Sequence, residues 1–235
     1  MIAACLVLST FVGSSWADAE PPVQHWLWSK AYAIPNETAR HGIANFSIAE
    51  GGNQKLYVGT AKIRANAFLV EFDPATRKSN VVIDAQQETD STGNGYAAQA
   101  MIGTRNNVGV SGKIYLGTRQ GARKPGDAAD SYPGGHPLVF DPQTGKTKSY
   151  GVPVAHQGIM SIAPDESRGV AYISTCSELR DIASTHFIQL DLKTGKYVDL
   201  LDCQHMYSFV VVDWLGRAYH PIRGGEIARY DPATK

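Results

Sequence analysis

A tight-turn signature that occurs four times in the 235-residue chain constrains its fold more than any other feature. The four copies are FDPATRK from Phe72, FDPQTGK from Phe140, LDLKTGK from Leu190 and YDPATK from Tyr230. In such turns Asp accepts hydrogen bonds from the backbone, Pro presets the next φ, and Gly supplies a positive φ before the chain returns. Because apolar or alternating segments precede the copies, the pattern predicts β-hairpins.

A second signature lies ahead of each turn and adds another strand. Its copies are KLYVGT around Tyr57, KIYLGT around Tyr115, VAYIST around Tyr172 and RAYHPI around Tyr219. With a further apolar segment upstream, one unit consists of strand, turn, strand, variable loop, strand, turn and strand. The Asp residues of successive turns are 68, 50 and 40 residues apart. Four-stranded units at such intervals are typical of β-propeller blades.

The sequence therefore predicts an all-β fold, a β-propeller of which about four four-stranded blades are present. We expect seven blades in the complete ring, with the strand tyrosines packed between blades. A sandwich of short strands is the structural alternative, but it does not predict four copies of one hairpin in one register. Residues 26–34 resemble the strand after the second turn, so we expect them either to pair as an edge strand or to dangle at the gap where a C-terminal blade is missing.

The N-terminal residues, MIAACLVLSTFVGSSWADAE, predict a signal peptide over residues 1–19, followed by the partial propeller domain over 20–235. The apolar run is too short to span a membrane, so we expect no stable membrane insertion and a secreted or periplasmic protein. A lipoprotein box ending at Cys5 is the alternative, although the apolar run follows that cysteine. In an oxidising compartment Cys176 and Cys203 are expected to form either a disulfide or two buried thiols.

Overall charge and short motifs exclude several functions. Lys plus Arg and Asp plus Glu both number 22, so no basic surplus indicates nucleic-acid binding. Neither GxSxG, a P-loop, HExxH nor GxGxxG occurs, which removes the common signatures of serine hydrolases, phosphate binders, zinc proteases and dinucleotide binders. Any charged ligand must therefore be met by a local group of side chains.

A polar residue recurs at a fixed distance before the strand tyrosine. His41, Gln99 and His156 each lie 16 residues ahead of it, and His205 lies 14 residues ahead of Tyr219. In a propeller, the loop that enters the first strand opens on the same face as the loop between the second and third strands. We expect the recurring residue at the mouth of the channel on the ligand-binding face. The alternative is that these side chains hydrogen-bond neighbouring blades at the inner rim.

The variable loops place further polar residues on that face. They are Arg119, Tyr132, His136, Arg180, His186, His220 and Arg223. His136 and His186 share one register with Glu226, five residues before the turn Asp. Imidazole suits transition metals and carboxylate suits Ca²⁺, so a divalent metal ion is the cofactor that this set would accept. Its ligands would meet only in three dimensions, and its identity stays open.

The succession of KIYLGT, a loop ending in SYPGGHPLVFDPQTGK, and YGVPVAHQGIMSIAPDESRGVAYIST resembles a group of secreted propeller proteins. It is similar to the streptogramin lyase superfamily and to rhamnose–glucuronate lyases, over most of residues 40–235. The resemblance implies the propeller fold and β-elimination by His, Arg and Tyr, in some members beside a divalent metal. It implies a secreted lyase acting on a uronate-containing oligo- or polysaccharide. A non-catalytic propeller that binds a glycan or protein, and a streptogramin-type lyase, are the alternatives.

β-Elimination next to a carboxylate needs a cation to neutralise the developing enolate and a base that works near neutral pH. Arg or a metal meets the first need, and His or Tyr meets the second. We expect His156 as the base, Arg119 or Arg223 as the carboxylate clamp, and His205 and His220 beside them. The remaining candidates are expected to bind substrate: His41, Gln99, Tyr132, His136, Arg180 and His186.

Overall fold

The structure is a computed structural model, and it forms two compact units, Met1–Ala33 and Ile34–Lys235. The described residues are 25–26, 29–30, 44–62, 65–91, 99–103, 105, 107–120, 128, 131–177, 185–205 and 208–234. The expected signal peptide over 1–19 lies outside them. In the first unit β1 (His25–Trp26) pairs antiparallel with β2 (Ser29–Lys30). The described part of residues 26–34 thus pairs within a short hairpin, and its expected place at a blade gap stays a prediction.

The second unit contains four antiparallel sheets in chain order. Sheet 1 consists of β3 (Ala44–Glu50), β4 (Leu56–Ala61), β5 (Phe68–Asp73) and β6 (Lys78–Asp84), followed by the short helix α1 (Ala85–Glu88). Sheet 2 consists of β7 (Asn107–Val108), β8 (Ile114–Gly117), β9 (Pro137–Asp141) and β10 (Lys146–Ser149). Sheet 3 consists of β11 (Gln157–Asp165), β12 (Val170–Ser177), β13 (His186–Asp191) and β14 (Tyr197–Asp202), with a 3₁₀ turn at Glu166–Arg168. Sheet 4 consists of β15 (Val211–Val212), β16 (Ala218–Ile222) and β17 (Glu226–Tyr230).

Strands within every sheet pair in the order of the sequence, as the repeat predicted. The all-β class and the antiparallel units are confirmed, with three four-stranded sheets and one of three strands among the described residues. These sheets do not close into a ring, so the expectation of seven blades stays a prediction.

The repeated turns have the chemistry that their sequence predicts. Asp191 accepts hydrogen bonds at Oδ1 from the backbone N–H groups of Lys193 (3.0 Å) and Thr194 (2.7 Å). Its carbonyl oxygen accepts from Gly195 N–H (2.8 Å), where φ is +75°. The first copy differs, because Arg77 takes the glycine position and still adopts a φ of +60°. A side chain in this left-handed region costs free energy that glycine avoids.

Three separate apolar cores join consecutive sheets. Tyr57 of sheet 1 is fully buried and packs against Phe140 of sheet 2, with ring centroids 5.9 Å apart. Tyr115 of sheet 2 is buried with the aliphatic residues of sheet 3, and Tyr172 of sheet 3 packs against Tyr230 of sheet 4 (5.8 Å). The expected role of these three tyrosines in packing between sheets is confirmed. Each sheet therefore depends on its neighbours in the chain for its buried faces.

Two further observations concern the cysteines and the helices. Cys176 and Cys203 are both buried and are not joined by a disulfide, so of the two arrangements expected the structure has buried thiols. Burial raises the pKa of the Cys203 thiol to about 12, which keeps it protonated at neutral pH. No helix in the described part of the chain is long and apolar enough to cross a membrane.

Candidate functional site

Each sheet has two distinct ends. The turn end carries the Asp turns, and the opposite end, which we call the loop end, is where the second strand stops and the third begins. The described candidates all lie at or near the loop end: Gln99, Arg119, Tyr132, His136, His156, His186, His205, His220 and Arg223. His41 and Arg180 lie outside the described residues. The predicted gathering at one end of the sheets follows directly from the strand order.

A threonine three residues after the strand tyrosine fixes where the third strand starts. Thr118 accepts a hydrogen bond at Oγ1 from His136 N–H (2.9 Å), and Thr175 accepts one from His186 N–H (2.8 Å). Thr60 does the same in sheet 1. The signal for this role was present in the sequence as the final Thr of VGT, LGT and IST, and sequence reasoning missed it.

Two glutamines join successive sheets at the loop end, in an arrangement that we call the glutamine clasp. Gln99 accepts at Oε1 from the Thr118 hydroxyl of sheet 2 (2.6 Å), and its carbonyl accepts from Ala67 N–H of sheet 1 (3.0 Å). Gln157 likewise accepts at Oε1 from the Thr175 hydroxyl of sheet 3 (2.5 Å), and its carbonyl accepts from Gly135 N–H of sheet 2 (2.8 Å). Each clasp therefore spans one junction between sheets.

The clasp corrects the predicted register. The counterpart of Gln99 is Gln157 and not His156, because two residues separate Gln99 from Ile102 whereas one separates Gln157 from Ile159. Both isoleucine N–H groups donate to the carbonyl of the preceding sheet's threonine. Gln99 is also fully buried, and its Nε2 donates to Gly134 O (2.9 Å). This geometry accounts for Gln99 as an inter-sheet contact and gives no support to a contact with substrate.

His156 is the exposed histidine at the junction of sheets 2 and 3. Its backbone adopts the left-handed region with φ at +63°, and its N–H donates to Pro133 O (3.2 Å). The ring Nδ1 lies 2.6 Å from Tyr132 O, and since a carbonyl only accepts, Nδ1 carries the hydrogen. In the neutral ring, Nε2 is then the basic nitrogen. The side chain is thus oriented by a backbone carbonyl, as a positioned base requires.

Arg119 and Tyr132 lie beneath this surface. Arg119 is only 5% exposed, and its backbone N–H and C=O both pair with Met101 (3.0 and 2.9 Å). Its Nη1 lies 3.4 Å from Met160 Sδ of sheet 3. Tyr132 is 1% exposed. A carboxylate clamp has to reach its ligand, so Arg119 suits that role less well than an exposed arginine does.

A second group lies at the junction of sheets 3 and 4 and centres on His220. This residue is fully buried, its Nε2 accepts from the Ser174 hydroxyl (2.8 Å), and its Nδ1 donates to Pro221 O (2.5 Å). Its ring packs on Phe187, with centroids 5.2 Å apart. Burial lowers the pKa of His220 to about 4, and the nearby His205 contributes to the lowering. His220 is therefore neutral at pH 7 and shielded from solvent.

His205 and Arg223 complete this group. His205 N–H donates to Thr185 Oγ1 (2.9 Å), whose hydroxyl donates back to His205 O (2.5 Å). These bonds join the backbone of His205 to sheet 3, whereas its ring Nδ1 lies 2.5 Å from Ser208 Oγ, so the alternative of a side-chain bond to a neighbouring sheet stays a prediction. Arg223 is exposed; its N–H donates to Cys203 O (3.1 Å) and its Nη1 to Gln204 Oε1 (3.3 Å). This group lies at the junction of sheets 3 and 4, whereas Arg119 and His156 lie at the junction of sheets 2 and 3.

His136 and His186 contact the outer strands of their own sheets. His136 Nδ1 lies 3.0 Å from Ser149 Oγ, and burial lowers the pKa of His136. His186 Nδ1 lies 2.6 Å from Asp199 Oδ2. Their shared register therefore serves pairing within a sheet. Among the described residues, no three His, Cys, Asp or Glu side chains are arranged to hold a metal ion.

Comparison with known proteins gives similarity in fold. No family model and no curated protein matches the chain. Puromycin hydrolase is 12% identical with a TM-score of 0.51, over 80% of this chain and 27% of its own. The extracellular domain of a protein described as a hybrid two component system from B. thetaiotaomicron is 13% identical with a TM-score of 0.50, over 87% and 24%. The computationally designed Ika4 protein is 13% identical with a TM-score of 0.50, over 80% and 91%.

The chain thus spans about a quarter of the length of the two natural proteins. At these identities the likeness concerns the backbone only. It agrees with the strand order and with the packing of consecutive sheets described above. The chain has an all-β fold of antiparallel sheets that pack in the order of the sequence.

Proposed function

We propose that this chain is part of a secreted or periplasmic seven-bladed propeller, within residues 20–235, that binds a uronate-containing oligosaccharide at the loop end. His156 carries the proposal. It is exposed, its backbone is held in the left-handed region, and its ring is oriented by Tyr132 O. Strained, oriented polar residues of this kind occur preferentially at ligand-binding and catalytic positions.

Arg223 is the proposed partner of His156 in binding carboxylate. It is the exposed member of the two arginines predicted as clamps, and its guanidinium has a neutral partner, Gln204, rather than a carboxylate. A planar guanidinium binds a carboxylate through two parallel hydrogen bonds. Arg223 and His156 thus offer an exposed cation and an exposed imidazole at the same end of the sheets.

Lyase activity on the same glycan is the second candidate, and the tautomer of His156 favours it. With Nδ1 donating to Tyr132 O, Nε2 is free to take the proton from the carbon next to the uronate carboxylate. The C–H electron pair would then form a double bond as the neighbouring glycosidic oxygen leaves. Arg223 would neutralise the charge that develops on the carboxylate. Binding without elimination would need only the hydrogen bonds from His156 and Arg223 to the glycan, with no proton transfer to Nε2.

Calorimetric titration with an oligogalacturonide, and with an uncharged galactose oligosaccharide as its control, tests the proposal. His156→Asn removes the imidazole but tolerates the left-handed backbone. Each of His156→Asn and Arg223→Gln is expected to weaken binding by about tenfold or more, the loss of one charge-assisted hydrogen bond. Arg229→Gln, on an exposed arginine of β17, is the matched control.

The outcomes separate the two functions. Absence of binding to the oligogalacturonide, or an equal loss in Arg229→Gln, contradicts the proposed site. Binding without any gain in ultraviolet absorbance from an unsaturated uronate supports the binding domain and excludes the lyase on this substrate. A gain that His156→Asn abolishes supports the lyase.

A further inference from the structure

Sheets 2 and 3 diverge at the turn end and leave a groove of about 860 Å³ between them. One wall consists of β10 and Tyr150 from sheet 2. The other consists of the turns of sheet 3, including Glu166, Leu192 and Lys193. We call this feature the lysine groove. Its volume is in the range of ligand-binding clefts, and it is separate from the loop end where the glycan is proposed to bind.

The groove has an excess of positive charge. Its charged lining residues are four lysines, Lys113, Lys146, Lys148 and Lys193, and two acids, Asp141 and Glu166. Glu166 already accepts hydrogen bonds from the Ser111 N–H (2.8 Å), the Ser111 hydroxyl (2.7 Å) and the Tyr115 hydroxyl (2.7 Å). Within the described residues, Lys146, Lys148 and Lys193 form no ion pair. An anionic occupant would complement this lining.

Lys148 is held in place on the groove wall. Its Nζ lies 4.2 Å from the centre of the Tyr150 ring and donates to Leu192 O across the groove (3.1 Å). Tyr150 donates its hydroxyl proton to the same carbonyl (3.0 Å). A lysine fixed in this way loses less conformational entropy on binding than a freely rotating one does.

β10 also offers an open strand edge. Among the described residues it is the outermost strand of sheet 2, β9 is its one strand partner, and the short helix α1 contacts it. Tyr150 N–H donates to Pro137 O, so by the alternation of antiparallel ladders Lys146 and Lys148 turn their backbone groups towards β9. Thr147 and Ser149 turn theirs away from the sheet. The side chains of Lys146 and Lys148, two residues apart, lie on one face of the strand.

We propose that the lysine groove binds an extended acidic segment of a partner polypeptide, which adds to sheet 2 as a strand beside β10. Its backbone would pair with Thr147 and Ser149, and its acidic side chains, at every second position, would pair with Lys146 and Lys148. A polyuronate could match the charge, but it has no row of backbone N–H donors to match the strand edge. The open edge therefore favours a polypeptide over an anionic glycan.

Lysines on an edge strand have another general use, which is to prevent unwanted pairing. Lys146 has counterparts in Lys78 and Lys196 at the edges of sheets 1 and 3, but two residues further on β6 has Asn80 and β14 has Val198, so the second lysine, Lys148, is particular to sheet 2. The edge of sheet 1 provides a matched control. Lys78 begins β6 and pairs with Asp73, as Lys146 begins β10 and pairs with Asp141.

The test uses the whole chain and a short acetylated peptide of alternating glutamate and threonine, with binding measured by fluorescence anisotropy. A peptide of the same composition with its glutamates in one block, a backbone N-methylated copy, and polygalacturonate are the comparison probes. The double variant Lys146→Gln/Lys148→Gln is expected to weaken binding of the alternating peptide by at least about tenfold. Lys78→Gln is expected to leave it unchanged.

The proposal is supported if the alternating peptide binds better than the block and N-methylated peptides and depends on Lys146 and Lys148. Equal binding of all the anionic probes would mean charge attraction without strand addition and would overturn it. Absence of peptide binding would assign the lysines to protection of the edge, and it does not bear on the loop-end site. Stronger binding of polygalacturonate would assign the groove to a glycan only if Lys146→Gln/Lys148→Gln weakens it, because His156 and Arg223 are not part of the groove and the loop-end site would bind polygalacturonate equally well in that variant.

Discussion

The stability of this protein should fall as the pH is lowered from neutral, and His220 should cause much of the loss. Burial lowers the pKa of His220 to about 4, while an exposed histidine has a value near 6.5. Between these two values the unfolded chain binds a proton that the folded chain excludes. The free energy of unfolding therefore decreases as the pH falls through 6.5, and the decrease from this residue is complete below about 4.

The magnitude follows from the difference between the two pKa values. At about 1.4 kcal/mol for each pH unit, His220 accounts for up to about 3 kcal/mol. About 2 kcal/mol of this should be lost between pH 7 and pH 5. Burial also lowers the pKa of His136, which adds to the loss in the same direction. Some pH dependence should therefore survive when His220 is removed.

The assay is urea unfolding followed by circular dichroism at a series of pH values from neutral to mildly acidic. His220→Leu combined with Ser174→Ala removes the titrating ring together with the hydroxyl that donates to it. Ser174→Ala alone is the control, since it loses one hydrogen bond, about 1 kcal/mol, and keeps the histidine. The double variant should lose most of the pH dependence and the control should retain it. Equal pH dependence in all three proteins would refute the assignment to His220.

Two further predictions concern stability at neutral pH. Arg77→Gly should raise the free energy of unfolding by about 1 kcal/mol, because glycine adopts the left-handed backbone without strain. Gly145→Ala should lower the free energy of unfolding by a similar amount: the added methyl group meets nothing within 4 Å, so the cost comes from the left-handed backbone alone. Gln99→Leu should lower it by about 2 to 4 kcal/mol, because it leaves the buried Thr118 hydroxyl without its acceptor, whereas Gln143→Leu on an exposed turn should change it by less than about 0.5 kcal/mol. Thermal or urea unfolding checks both pairs, and a reversed sign for Arg77→Gly or a neutral Gln99→Leu would contradict them.

The sequence could predict the strand order because the information is local. Asp191 and its turn, or Tyr57 and its strand, determine a hairpin from a few neighbouring residues, and the same few residues recur. The predicted site depended on counting across loops, and there a single residue decides the outcome. One extra residue after Gln99 makes Gln157 its counterpart and leaves His156 exposed.

The sequence alone also could not predict which polar side chains at the loop end are buried. Arg119 directly follows Thr118 at the end of its strand, and the sequence alone does not say whether that side chain meets solvent or the next sheet. In the structure it meets Met160 of sheet 3. His220 is buried because Phe187 and Ser174 of the neighbouring sheet surround it. Contacts between sheets, which lie far apart in sequence, therefore determine which polar residues remain accessible.

The glutamine clasp has a consequence for how such a chain is lengthened by gene duplication. Gln99 bonds to Thr118 of its own sheet, and Gly135 of that sheet receives the next glutamine, Gln157. A segment copied from Gln99 to the residue before Gln157 would contain the glutamine, its threonine partner Thr118, and Gly135, whose N–H binds the next glutamine. Two copies of this segment could therefore form the same contacts with each other. A segment cut at the boundaries of the sheet would separate the glutamine from its threonine and leave a buried hydroxyl without an acceptor at each new junction. Duplications and engineered insertions that begin at the glutamine are thus the ones this architecture tolerates.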